Sequence, residues 1–156
     1  MELLTTTDLI VRMAIAIGLG TIIGLERTLA GKGAGMRTYA MVTLGSSLFI
    51  LISEIITSTI ANASFSNPLL IASSIISGIG FICAGLVIFQ TNKITGLTTA
   101  AGLWVSSGVG IAVGFGLINL AIIATVAAVL VFTLMWFIET VLLKFSYKRS
   151  SVDDDK

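Results

Sequence analysis

The side chains in this 156-residue chain that could do chemistry are mainly charges set inside or beside long apolar stretches. Glu26 and Arg27 end the first of these stretches. Arg37 and Thr38 begin the second, and Glu54 lies near its end. A charge within a membrane is costly and is a functional candidate by default, as a member of an ion pair, an anion-binding group or part of an ion pathway.

The sequence leaves several interpretations of these charged residues open. Glu54 could reach the nearest membrane surface, or it could pair with Arg12, which lies at a similar depth on the first helix. Thr98 and Thr99 could line a pathway together with Glu54. Glu139, near Lys144, is typical of a membrane interface.

Glu26 and Arg37 lie on either side of a short polar loop between two consecutive apolar stretches. Such a loop joins antiparallel neighbours, so we expect it to bring Glu26 against Arg37. This pair would be either a structural clamp or a binding surface for an anionic group or a partner protein.

Residue counts exclude several classes of chemistry. The chain has no histidine and one cysteine, so it lacks Ser–His nucleophiles, His-ligated zinc and an axial haem histidine. We therefore expect no enzymatic activity, no cofactor and no metal site. Cys83, in an apolar stretch, is expected to be a small packing residue. Nine basic against eight acidic residues give no imbalance that would favour nucleic acid.

The elements that must position these side chains are membrane helices. Hydrophobic residues make up 56% of the chain and charged residues 11%, against about 25% charged in soluble domains, and the mean hydropathy is +1.07. A lipid bilayer is therefore the expected solvent. A span needs about 20 apolar residues, which predicts an all-α, polytopic protein of five transmembrane helices, at about residues 9–25, 36–60, 69–89, 94–114 and 117–143.

Two long uncharged runs must fold back on themselves. The polar segment ending in Asn67-Pro68 breaks the first, because the residue before a proline avoids the helical region. Gly114-Phe115-Gly116 is the expected turn in the second. The first helix is not preceded by the positively charged segment that begins a signal peptide, so we predict that it is a retained transmembrane helix. Residues 144–156 are expected to form a short charged tail.

Basic residues predict the orientation, because Lys and Arg are enriched in cytoplasmic loops. The first and third loops and the tail carry them, and the second and fourth loops carry none. An N-terminus outside and a cytoplasmic C-terminus follow. The basic residues that decide this are Arg27, Lys32, Arg37, Lys93, Lys144, Lys148 and Arg149.

Small residues recur at helical spacing and predict close helix packing. These residues would allow helices to pack closely within the chain. The alternative is that they form the contact between two copies of the chain, or a flexible hinge. At Gly110, leucine is expected to disrupt this packing and alanine to be tolerated. The small residues are Gly20 and Gly24 in the first helix, Gly78, Gly80 and Gly85 in the third, and Thr98, Gly102, Ser106, Gly110 and Gly114 in the fourth.

Three motifs in series resemble the MgtC/SapB family. Residues 24–27 read GLER, followed by GKGAGMRT at 31–38. Residues 77–81 read SGIGF, followed by AG at 84–85, and residues 96–101 read GLTTAA before Trp104. The resemblance implies a bacterial inner-membrane protein linked to growth in low magnesium and, in pathogens, to survival inside host cells.

The resemblance also implies a regulator of other membrane machines, with ATP synthase one implied partner. With the small-residue seams, we expect this regulator to be a homo-oligomer. The alternative function is an ion-conducting or transporting unit for a divalent cation or a proton. The chain departs from the family at three positions of the third helix, where an acidic residue, an arginine and a glutamine are usual. Those positions hold Asn67, Leu70 and Ser74.

Overall fold

The computed structural model describes residues 4–59, 67–90 and 93–153. Within these ranges five helices are long and apolar enough to cross a membrane, as the composition predicts. They are α1 (Thr6–Leu29), α2 (Met36–Thr59), α3 (Pro68–Leu86), α4 (Leu97–Gly114) and α5 (Ile118–Asp153).

Local signals set the start of two helices. Thr5 and Asp8 form a capping box at the start of α1, each side chain accepting a hydrogen bond from the other's backbone N–H. Asn67 caps α3 by accepting from the N–H of Leu69 at 2.9 Å, and Pro68 opens that helix. Most of the predicted break before Pro68, residues 60–66, lies outside the described residues.

The turn between α4 and α5 lies where the glycines predict it. α4 ends at Gly114, and Gly116 has a φ of +74°. The N–H of Gly116 donates to Val113 at 2.9 Å, and the N–H of Leu117 donates to Ala112 at 2.8 Å. These are the two bonds of a Schellman motif, which ends helices at a left-handed glycine.

The predicted boundary between the third and fourth helices is wrong by a few residues on each side. α3 ends at Leu86, and an antiparallel hairpin of β1 (Ile88–Gln90) and β2 (Lys93–Thr95) precedes α4. β-branched and aromatic residues favour the strand over the helix here. Gly96, with a φ of +88°, makes the junction, and a Cβ there would collide with the carbonyl of Leu86. The tail predicted to begin at residue 144 is not separate from the last helix, because α5 continues to Asp153.

α4 is the central helix of the bundle. Eleven of its 18 residues are buried, and it packs against each of the other four helices. α4 runs parallel to α2, since Gly102 meets Tyr39 at one end and Gly114 meets Ile50 at the other. A hydrogen bond of 3.0 Å between Ser46 and Ser107 joins the two helices midway.

Candidate functional site

Arg12 joins three helices at one end of the bundle. Its Nη1 donates to Oε2 of Glu54 on α2 at 3.1 Å and to the carbonyl of Gly114 at the end of α4 at 2.7 Å. The Arg12 and Glu54 side chains are only 22% and 18% exposed. The guanidinium thus satisfies a terminal α4 carbonyl and complements the negative end of the helix dipole.

The pairing of Arg12 with Glu54, which the sequence allows by depth alone, is therefore present. The third member, Gly114, was missed by sequence reasoning, because a backbone carbonyl leaves no mark in the residue pattern.

A second cluster lies at the opposite end of the bundle, around Arg27. The Arg27 side chain is almost fully buried, Glu26 accepts a hydrogen bond from its Nε, and its guanidinium lies over the Phe132 ring, 3.7 Å from the ring centroid. A carboxylate and an aromatic face both stabilise a buried cation. This arrangement ties the end of α1 to α5.

Tyr39 links the Arg27 cluster to α4. Its hydroxyl donates to the carbonyl of Thr99 at 3.2 Å, and a Cβ on Gly102 would lie 2.6 Å from Cζ of Phe132 and collide with the Tyr39 hydroxyl. Gly102 therefore makes room for both rings. Sequence reasoning missed Tyr39 and Phe132, since an aromatic residue in an apolar helix is usually read as lipid-facing or core.

The predicted contact between Glu26 and Arg37 is wrong. Glu26 is engaged by the adjacent Arg27, and Arg37 lies exposed in the first turn of α2. The loop is held by Thr28 instead, whose hydroxyl accepts from the N–H of Met36 at 3.2 Å. A buried arginine needs a counter-charge, and Glu26 supplies it to Arg27.

The other candidates separate into buried and exposed positions. Thr99 is buried, whereas Thr38 and Thr98 are exposed.

Among the described side chains, no group of three or more His, Cys, Asp or Glu residues could hold a metal ion. Cys83 on α3 donates from Sγ to the carbonyl of Ala100 on α4 at 3.2 Å, and so packs one helix against the other.

The small residues of α4 pack within the chain. A Cβ on Gly110 would lie 2.8 Å from Cβ of Ser46, and one on Gly114 would lie 2.6 Å from Cβ of Ile50. Ser106, one turn before Gly110, is fully buried. The expectation that alanine is tolerated at Gly110 is therefore wrong, because even a methyl group meets α2, and a Cβ there would also collide with the carbonyl of Thr43.

Gly20 and Gly24 of α1 also pack within the chain, whereas the glycines predicted to pack in α3 do not. A Cβ on Gly20 would lie 2.7 Å from the carbonyl oxygen of Tyr39, and one on Gly24 would lie 2.6 Å from Cα of Met36. Around Gly78, Gly80 and Gly85 a Cβ would meet nothing within 4 Å among the described residues.

A sequence model of the MgtC family matches residues 13–141, which hold the Arg27 cluster and, of the first cluster, Glu54 and Gly114 but not Arg12. The chain belongs to the MgtC family. This agrees with the motifs around Glu26, Gly78 and Thr98.

Named relatives share this region. YhiD of Escherichia coli (strain K12), whose name proposes a magnesium transporter, is 36% identical over 128 residues, covering 81% of this chain and 60% of YhiD. Protein MgtC of Brucella abortus (strain 2308) is 38% identical over 79% of this chain and 49% of its own length. Protein MgtC of Salmonella typhimurium (strain 14028s) is 40% identical over 75% and 48%. The MgtC-family chain thus spans about half to three fifths of these relatives, and no solved structure matches it.

Proposed function

We propose that this MgtC-family chain is a regulatory protein of the bacterial inner membrane, not an enzyme. It would support growth in low magnesium by binding other membrane proteins, with ATP synthase a partner that the family resemblance suggests. In this proposal the chain forms a homo-oligomer, with its N-terminus outside and its C-terminus cytoplasmic.

The observation that carries the proposal is the pairing of carboxylates with arginines inside the bundle. Glu54 is bound by Arg12 and Glu26 by Arg27, at opposite ends of the helices. Mg²⁺ is held by oxygen ligands and usually needs one or two carboxylates. A guanidinium beside each interior carboxylate opposes the entry of a second cation, which supports a structural role for both pairs.

The packing of α4 supports the same proposal. A transport pathway along the small-residue face of α4 would need open space beside Gly102, Gly110 and Gly114. Those positions are filled by Tyr39, Phe132 and the α2 backbone and side chains. The face acts as a packing surface.

The second candidate function, ion conduction or transport, also has support. The name of YhiD proposes magnesium transport, and three hydroxyls in the described interior, those of Ser47, Ser106 and Thr125, are buried without a hydrogen-bond partner. Hydroxyls of this kind can hold water or carry an ion between helices.

Two measurements on the same preparation separate the two functions. The purified chain is reconstituted in liposomes that contain a Mg²⁺-sensitive dye, with a known magnesium channel as the positive control. The gene is also tested for rescue of growth in low magnesium in a strain that lacks its own MgtC protein. Rescue without Mg²⁺ uptake above that of empty liposomes supports regulation.

Mg²⁺ uptake that depends on Glu54 would overturn the regulatory proposal in favour of transport. Failure of rescue, with the protein present in the membrane at normal level, would overturn the low-magnesium role. A matched control is Lys32→Gln, a charge change in the exposed loop that should leave rescue unchanged.

A further inference from the structure

A groove open to the bilayer runs between α2 and α3. It has a volume of about 610 Å³ and is almost wholly apolar, within the range of about 300–1,000 Å³ that is typical of ligand sites. Its walls are formed by Met41, Gly45 and Phe49 on α2 and by Ile71, Gly78 and Ile82 on α3. We call this the α2–α3 groove.

The groove has the length of one lipid chain. From Thr38 to Phe49 it follows about three turns of α2, or roughly 16 Å at 1.5 Å per residue. Half of a bilayer's hydrocarbon core is about 15 Å. Phe49 and Ile71 also line a smaller, neighbouring cavity of about 290 Å³ towards Asn67.

A cation precedes the groove in sequence, since Arg37 comes directly before Thr38, the first residue of α2 that lines it. Arg37, Met41, Gly45 and Phe49 form one row at spacings of four residues, so they share a face of α2. Arg37 is exposed and takes part in none of the ion pairs among the described residues. It lies in the first turn of α2, where the helix dipole is positive.

We propose that the α2–α3 groove is a binding site for an anionic phospholipid. One acyl chain would lie between Gly45 and Gly78, where each glycine leaves open space for it, and the phosphate headgroup would contact Arg37 and the first turn of α2. The cation next to Thr38 and the one-leaflet length of the groove favour this occupant over a helix from a second copy. The site is independent of the proposed regulatory function.

Lipid retention in native mass spectrometry tests the site. The purified protein is released from detergent containing either phosphatidylglycerol or phosphatidylcholine with the same acyl chains. Wild-type protein should retain phosphatidylglycerol preferentially. Arg37→Gln should reduce that preference about fivefold, the contribution of one basic residue at an anionic membrane surface, with retention of phosphatidylcholine unchanged.

Filling the groove should act differently from removing the charge. Gly45→Leu or Gly78→Leu should lower retention of both lipids, because the new side chain occupies the space of the acyl chain. Two matched controls should bind lipid as wild type: Lys32→Gln removes an exposed charge away from the groove, and Gly108→Leu adds bulk at another open, exposed glycine.

Three results would overturn the site. Equal retention of the two lipids by wild type would remove the headgroup contact. Unchanged lipid retention in both filled variants would remove the acyl-chain contact. A shift from oligomer to monomer in the filled variants, with lipid retention unchanged, would assign the groove to a second copy of the chain.

Discussion

One nitrogen of Arg12 holds the carboxylate of Glu54 at 3.1 Å and, at 2.7 Å, the last carbonyl of α4. A single side chain at the start of α1 thereby fixes the ends of α2 and α4. The Arg27 cluster does the same for α1 and α5 at the opposite end. The bundle is thus tied at both ends by arginines, with tight glycine packing between them.

Removing Arg12 should be more damaging than removing Glu54. Arg12→Gln loses two hydrogen bonds and leaves the Glu54 charge and the Gly114 carbonyl without a partner, whereas Glu54→Gln keeps the bond to Gly114. For this half-buried pair we expect a loss of roughly 2–4 kcal/mol for Arg12→Gln, below the full cost of a buried pair. Melting in detergent measures it.

The double variant of Arg12 and Glu54 should recover part of this loss, with a coupling of about 1–2 kcal/mol. Lys32→Gln, which removes an exposed charge in the first loop, is the control. Losses that simply add would show that the two side chains act independently.

Alanine should be tolerated at Gly108 but not at Gly110. Gly110→Ala forces a methyl group against the Thr43 carbonyl and Ser46, at an expected cost of about 1–3 kcal/mol. Gly108→Ala meets open space and should gain up to about 1 kcal/mol from helix propensity. Melting temperatures of the two variants in detergent should move in opposite directions, and a shift of the same sign in both would contradict the packing of α4 on α2.

Phe132 should contribute to stability through the Arg27 cation. Phe132→Leu keeps an apolar side chain but loses the ring face, at an expected cost of roughly 1–2 kcal/mol beyond the change in packing. The same substitution at the exposed Trp136 should be nearly neutral. If Phe132→Leu has the same effect in an Arg27→Gln background, the ring and the guanidinium are not coupled.

Arg27→Lys is expected to behave as a disruptive change. A lysine cannot place a planar guanidinium over Phe132 while also donating to Glu26. The variant should melt earlier than wild type, and Arg37→Lys, at an exposed position, should not. Equal melting temperatures of Arg27→Lys and wild type would show that charge alone is sufficient at position 27.

The orientation is tested with single cysteines in a Cys83→Ser background, where serine can still donate to the Ala100 carbonyl. A membrane-impermeant maleimide should label Leu117→Cys in intact cells and Gly33→Cys only after the cells are opened. These positions are exposed and lie in turns at opposite ends of the bundle. The reverse pattern would invert the orientation predicted from the basic loops.

The sequence by itself determined the number of membrane helices, their positions to within a few residues, and the family. Each transmembrane helix depends on one continuous apolar segment of about 20 residues, which can be found by counting apolar residues along the sequence. The turn at Gly116 was also predictable, because a left-handed residue after a helix strongly favours glycine. The hairpin before α4 was not predicted, since short apolar runs rich in β-branched residues are ambiguous between strand and helix.

Tertiary structure alone decided which groups meet. The contact of Tyr39 with Thr99 spans 60 residues, and that of Arg12 with Gly114 spans 102. These contacts depend on how each helix is rotated about its axis, and a difference of one residue turns a side chain by about 100°. Spacing therefore placed Glu26 and Arg37 at the same end of the bundle, but the folded chain pairs Glu26 with Arg27 and leaves Arg37 exposed.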